Sequence, residues 1–319
     1  MTDSTEAWAQ KIQSGDRRAT ARAISAVEGG EAGSVPLLKR LFRAGRRACV
    51  IGVTGAPGSG KSTLVEKLAA AHRRAGRRTG VLAIDPTSPF TGGAILGDRI
   101  RMQNLQDDDG VYIRSMATRG CLGGLAHAAA DAVIVLKAAD CGVVFVETVG
   151  VGQDEVEIAR LADITVLLLA PDAGDDVQAF KAGVMEIADV FVINKADRGG
   201  ADRTEREIRA LLSLAPERNH HPTSIVKTSA ATGEGVEPLL AAIQEFRIYA
   251  EETSLAKDRE RERLRLRIGQ MARQRLLDRV MARPENEGLI AARVEQMLNH
   301  ETDPYTVVEE LLKIYPSNH

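Results

Sequence analysis

The chain has 319 residues, 27% of them charged and only 3% aromatic, and a formal net charge of −2. That length suits one large domain with appendages, and so even a charge balance gives no general attraction to nucleic acid or to an anionic membrane. No apolar stretch approaches the length of a membrane span. The polar stretch Met1 to Ala9 is not a secretory leader, and the scattered Cys49, Cys121 and Cys141 read as reduced thiols of a cytoplasmic protein.

Residues 4–45 read as three helices, broken at Ser14-Gly15-Asp16 and at the glycine-rich stretch 28–34, with Pro36 opening the third. Their apolar positions, Trp8, Ile12, Ile24, Val27, Leu37, Leu38 and Leu41, are expected to pack on the domain that follows, a separate binding role being the alternative. The apolar run 48–53 then leads into Gly55-Ala56-Pro57-Gly58-Ser59-Gly60-Lys61-Ser62-Thr63, and a helical pattern follows it. Strand, GxxxxGKS and helix in that order form a P-loop. Side chains at Gly55, Gly58 and Gly60 would block backbone N–H groups from phosphate oxygens, and a helix N-terminus favours the anion. Lys61 can reach the β- and γ-phosphates, and the Ser62 hydroxyl can hold Mg²⁺. Pro57, Ser59 and Thr63 complete the candidate phosphate contacts.

A second buried strand, 79–84, ends in Asp85, and a long loop rich in glycine, proline and hydroxyls runs on to Asp98. Loops at strand carboxyl ends face the ligand in open α/β sheets, so Asp85 and Asp98 are candidate metal acids. Residues 111–115 read as a short strand and 125–139 as an alanine-rich helix. The apolar strand 142–146 leads to Glu147-Thr148-Val149-Gly150, where an acid and a glycine three residues on can sense a γ-phosphate. Val151 follows where Ras-like proteins carry a glutamine, which implies slow hydrolysis by the protein alone.

The buried strand 164–169 enters the acidic loop of Asp172, Asp175 and Asp176, followed by Lys181. The next strand, 190–193, ends in Asn194-Lys195-Ala196-Asp197, the NKxD guanine signature. A buried Asp197 carboxylate can accept from guanine N1–H and the 2-amino group, Asn194 suits N7 and O6, and the Lys195 stem can stack on the ring. After a last strand, 224–228, Ser229, Ala230 and Ala231 would complete the base pocket with their backbone.

Alternating β and α segments through 48–247 imply an α/β fold with a mostly parallel sheet covered by helices on both faces. Residues 1–45 form an N-terminal helical extension, 46–250 the P-loop GTPase domain and 251–319 a C-terminal helical segment for dimerisation or partner binding. That segment starts as one long helix over 252–283 with an apolar stripe of Leu264, Ile268, Met271, Leu277, Val280 and Met281, and two shorter helices follow.

On the P-loop, the stretches 85–88 and 92–98, Glu147 to Gln153, Gly174 to Gln178 with Lys181, and the NKxD tetrapeptide, the sequence resembles one family over roughly residues 35–250. These are the G-protein chaperones of adenosylcobalamin-dependent acyl-CoA mutases, typified by the methylmalonyl-CoA mutase chaperone and once called arginine/ornithine transport kinases. The chain departs from the family pattern at Asp172 and at Asp176-Val177. The resemblance implies a homodimeric, Mg²⁺-dependent GTPase that gates cobalamin loading and protects its mutase, with neither nucleic acid nor membrane as partner. It implies that Asp85, Asp98 and Glu147 are the metal and catalytic acids and that Lys181 belongs to a third mobile loop. The alternatives are a nickel-insertion GTPase, for which His220-His221 and the cysteines are poor ligand sets, and a kinase of a transport component.

Overall fold

A computed structural model describes residues 2–85, 102, 105, 107–117, 124–148, 160–171, 187–214 and 221–313. Seven strands form one wholly parallel sheet: β1 (Cys49–Gly55), β2 (Thr79–Asp85), β3 (Val111–Ala117), β4 (Val143–Thr148), β5 (Ile164–Leu169), β6 (Val190–Asn194) and β7 (Ser224–Thr228). Their order is β3-β2-β4-β1-β5-β6-β7, so the P-loop strand lies between β4 and β5. The order reverses direction there, where ligands bind in doubly wound sheets.

The strands read as continuous apolar runs because both faces are covered. On one face, Ile51, Val53, Val143, Phe145, Val166 and Val192 meet α4 (Lys61–Arg74) and α7 (Val236–Glu252). Their alternates Val50, Val144 and Val146 point the other way, towards α5 (Gly124–Ala138). Leu167, Leu169, Phe191 and Ile193 meet Ala201 and Ile208 of α6 (Ala201–Leu214). The period of two along each strand sorts these side chains.

The N-terminal helices α1 (Thr2–Gln13), α2 (Arg17–Glu28) and α3 (Ser34–Arg43) form a further layer outside α5. Ala9, Ile12, Ile24, Val27, Leu37 and Leu41 are buried in the same core as Leu82, Ile84 and Met116, as expected of this segment. The Asp16 carboxylate caps α2, accepting from the Ala19 N–H at 2.7 Å. Tyr112 on β3 donates its hydroxyl to the Gly15 carbonyl at 3.0 Å, and Arg114 pairs with Glu28, which ties this layer to the edge strand.

The long helix expected over 252–283 is present, and it is distinct from the helix that precedes it. Helix α7 runs on to Glu252, and the Thr253 hydroxyl turns back to the Tyr249 carbonyl at 2.7 Å. Ser254 adopts a left-handed φ of 65°, and α8 (Leu255–Met281) starts afresh. A side-chain bond and one αL residue create this break locally, close to the change in composition at residue 251.

The chain divides into two compact units, Met1–Glu260 and Arg261–His319. In the first, Arg259 makes two bonds of 2.8 and 2.9 Å to the Asp189 carboxylate, and the same carboxylate accepts from the Thr165 N–H at 2.9 Å. Asp163 accepts from the Val50 N–H at 2.8 Å. Arg259 also donates to the Asp163 carbonyl at 3.2 Å, so the buried Asp189 and the half-buried Asp163 tie the starts of β1 and β5 to the first turns of α8. In the second unit, α9 (Pro284–Leu298) and α10 (Pro304–Lys313) are joined by Arg293 and Glu310, at 2.9 Å. Asp303 caps α10 through the Tyr305 and Thr306 N–H groups. The stripe residues Leu264, Ile268, Met271, Leu277 and Met281 are exposed.

Candidate functional site

Parallel register brings the ends of β1, β4, β6 and β7 to one edge. Helix α4 begins there with no side-chain cap, with Gly60 as its N-cap at φ 96° and with no acid in its first turn. The first four N–H groups of a helix have no acceptor within it, so this terminus presents donors and a partial positive charge.

The glycines of the loop have two different reasons. A Cβ at Gly55, where φ is 142°, would lie 2.2 Å from the Leu168 carbonyl oxygen on the neighbouring strand. A Cβ at Gly60 would lie 2.3 Å from Asn194 Nδ2. Close packing inside the protein thus requires glycine at both positions, a reason separate from the approach of phosphate. At Gly58 a Cβ would meet nothing within 4 Å, and its φ of 76° is what favours glycine there.

Lys61 is 6% exposed, and its ammonium donates to the Gly55 and Ala56 carbonyls at 2.7 and 2.9 Å. It is thereby held across the mouth of its own loop. The neighbouring Ser62 hydroxyl donates to Glu147 Oε1 at 2.5 Å, both side chains being buried. Glu147 comes from β4 and faces Val53 in the register of β1. A hydroxyl and a carboxylate converging beside a helix N-terminus are hard oxygen donors, the set that suits Mg²⁺. Among the described residues there is no group of three or more His, Cys, Asp or Glu placed to hold a metal. Buried Thr148 and Thr54 join β4 to β1 beside this pair, hydroxyl to hydroxyl at 3.2 Å.

Asn194 is 1% exposed, and its amide acts as a strut. It donates from Nδ2 to the Ser59 carbonyl at 2.7 Å. Its Oδ1 accepts from the Thr228 hydroxyl and the Ala230 N–H, each at 3.0 Å. One side chain therefore joins the P-loop, the end of β6 and the turn after β7. The sequence reading gave Asn194 to the base alone and overlooked Thr228, whose signal is its place beside Asn194 in the β6–β7 register.

Lys195 has a left-handed φ of 61°, and Asp197 stands in the short 3₁₀ turn that follows. Asp197 is exposed, not buried as expected, because that turn lifts it clear of the strand end. Ser229 and Ala230 are buried, Ala231 is exposed, and the turn closes through the Ser229 N–H on the Glu234 carbonyl at 3.0 Å. Pro57 is exposed, while Ser59 is buried and Thr63 half-buried. Asp85 closes β2, its side chain lying outside the described residues; Asp98, Gly150, Val151, Asp172, Asp175, Asp176 and Lys181 lie outside them altogether.

A parallel sheet with an uncapped helix after GxxxxGKS, an acid on the adjacent strand and NKxD two strands away defines a P-loop GTPase. The family model for the methylmalonyl-CoA mutase-associated GTPase MeaB matches residues 20–285, and the chain belongs to that family. A Pyrococcus horikoshii protein that carries a provisional GTPase name is 45% identical over 95% of this chain and 96% of its own. The GTPase ArgK of Escherichia coli is 37% identical over 75% of this chain and 74% of its own. The mouse protein named methylmalonic aciduria type A homolog, mitochondrial, is 31% identical over 84% of this chain and 66% of its own. The crystal structure of an LAO/AO transport system kinase has the same fold, with a TM-score of 0.73 at 23% identity, over 98% of this chain and 97% of that one. The protein is a GTPase, and its ligands are GTP and GDP.

Proposed function

We propose that the protein is a GTP-hydrolysing chaperone that gates cobalamin loading and exchange in, and protects, an adenosylcobalamin-dependent acyl-CoA mutase. The observation that carries this reading is the family match over residues 20–285, a family described as associated with methylmalonyl-CoA mutase. The name of the mouse relative, which refers to methylmalonic aciduria, supports it.

In this reading the α4 N-terminus and Lys61 hold the β- and γ-phosphates, and Asp197 accepts from guanine. Ser62 and Glu147 would hold Mg²⁺, with Asp85 and Asp98 as further acids of the same centre. The metal would neutralise charge on the phosphate oxygens when bound. The backbone of Gly150 would contact the γ-phosphate, and Lys181 would answer the partner. Transition-state charge on the transferred phosphoryl group would meet the N–H dipoles of the α4 N-terminus, and the Lys61 cation once it leaves the Gly55 and Ala56 carbonyls. The exposed stripe on α8 supports pairing with a second copy of the chain, and two-fold pairing is the default for such a face.

The experiment is a GTPase assay with and without each candidate acyl-CoA mutase, alongside co-purification. Faster hydrolysis and a stable complex with one mutase are expected. Unchanged hydrolysis and no complex with any of them would sink the chaperone reading while leaving the GTPase intact.

A further inference from the structure

The helices α1, α2 and α3 turn one face to the core and leave a hollow of about 1290 Å³ on their other side. Its wall carries six cations, Lys11, Arg18, Arg22, Lys39, Arg40 and Arg43, against two carboxylates, Glu6 and Asp16. Both carboxylates are already engaged. Glu6 pairs with Arg40, and Asp16 caps α2. Among the described residues, no carboxylate pairs with Lys11, Arg18, Lys39 or Arg43.

An ordinary solvated face looks different in this same protein. On α6, Arg203 and Arg209 each have a glutamate one turn away, at 2.9 and 2.8 Å. On the concave wall of α1–α3, Arg40 alone among the described residues has such a partner, although the whole chain is slightly acidic. Cations gathered without counter-charges repel one another, so this arrangement costs stability unless an anion joins it. The hollow also holds Trp8, the sole tryptophan of the chain. The Arg22 guanidinium lies 4.9 Å over its ring, and its Nε1 donates to the Ala19 carbonyl at 3.0 Å.

The hollow is larger than the roughly 300–1,000 Å³ of a small-molecule pocket. Its cations are spread over three helices and do not converge on one point, which suits an elongated ligand with several charges. The family is described as associated with another protein, which favours a polypeptide segment over a nucleic acid as that ligand. We propose that the outer face of α1–α3 is a docking surface for an aspartate- or glutamate-rich segment of a partner protein, separate from the nucleotide site. Arg18, Lys39 and Arg43 read the carboxylates, and Arg22 swings between Trp8 and the partner.

Trp8 emission provides the test. The full chain, loaded with GDP, is titrated with a synthetic oligo-glutamate peptide, and in parallel with oligo-lysine, inorganic polyphosphate and duplex DNA. Oligo-glutamate should change the emission saturably at an ionic strength of about 0.15 M and oligo-lysine should not. Arg18→Glu with Lys39→Glu should weaken peptide binding by about tenfold or more, with GDP affinity unchanged. Arg18→Gln with Lys39→Gln serves the same purpose should the reversed pair fail to fold. Emission that never moves, or peptide binding by the reversed or neutralised pair as tight as by the unaltered protein, would overturn the proposal. Polyphosphate or DNA binding there as tightly as oligo-glutamate would overturn the assignment to a protein segment.

Discussion

Asn194 Nδ2 lies 2.7 Å from the Ser59 carbonyl, so a residue of the guanine motif is bonded directly to the phosphate loop 135 positions earlier in the chain. The same amide accepts from Thr228 and Ala230. The P-loop and the NKxD motif therefore share one buried joint.

Asn194→Ala should test this joint. It leaves the Ser59 carbonyl, the Thr228 hydroxyl and the Ala230 N–H without their partner in a dry interior. A buried group stranded in this way costs about 1–3 kcal/mol. A lower denaturation midpoint and weaker GDP binding should appear together, in urea titration and calorimetry.

Ser62→Ala and Glu147→Gln separate binding from turnover. The first removes the hydroxyl and the second the carboxylate charge from a contact of 2.5 Å. GDP should still bind through the loop backbone, but the dependence of hydrolysis on Mg²⁺ concentration should shift upward. Loss of one preorganised electrostatic group costs about 10²- to 10³-fold in kcat. Single-turnover hydrolysis across a Mg²⁺ series measures both.

Asp197→Asn should relax the choice of base. Two hydrogen bonds to a charged acceptor, at about 1.5–3 kcal/mol each, amount to about 10²- to 10⁴-fold in guanine nucleotide affinity. Preference should move towards xanthosine nucleotides. Competition titration with GDP and XDP is the check, and an unchanged GDP affinity would mean the base sits elsewhere.

His72 sets a pH dependence of stability. Burial, with help from the neighbouring Arg77 and Arg247 charges, pushes its pKa down from 6.5 to about 4. Between those values the unfolded chain binds a proton that the folded one refuses. Its contribution to stability is complete above about pH 6.5, falls as pH drops towards 4 and then levels off. His72→Phe, which keeps a ring against Phe145, should flatten the thermal-midpoint profile in that window relative to the unaltered protein.

Arg259→Ala should destabilise the first unit without touching the nucleotide site. It strands Asp189, whose side chain is 4% exposed, at the amino edge of the sheet. Breaking a buried pair costs about 3–5 kcal/mol, and the lower end applies because Arg259 itself is 30% exposed. Urea denaturation should show the loss, with GDP affinity unaltered in the folded population.

Much of this protein can be read locally. Unbroken apolar runs such as Ile164 to Leu169 belong to strands covered on both faces, and the P-loop and NKxD residues sit at strand ends, where loops face the ligand in open α/β sheets. The order of those motifs along the chain was enough to name a nucleotide fold and its base. The sheet order β3-β2-β4-β1-β5-β6-β7 is a different kind of information, since a run of apolar residues specifies a strand but not its neighbours. Only that order and its register place Glu147 on Ser62, 85 positions apart, and Asn194 between Ser59 and Thr228. They also decide why Gly55 and Gly60 are glycines, and which side of α1 carries Ile12 inward and Trp8 against Arg22. Periodicity follows from the geometry of one backbone segment, whereas contacts between distant segments exist only once the layers have packed.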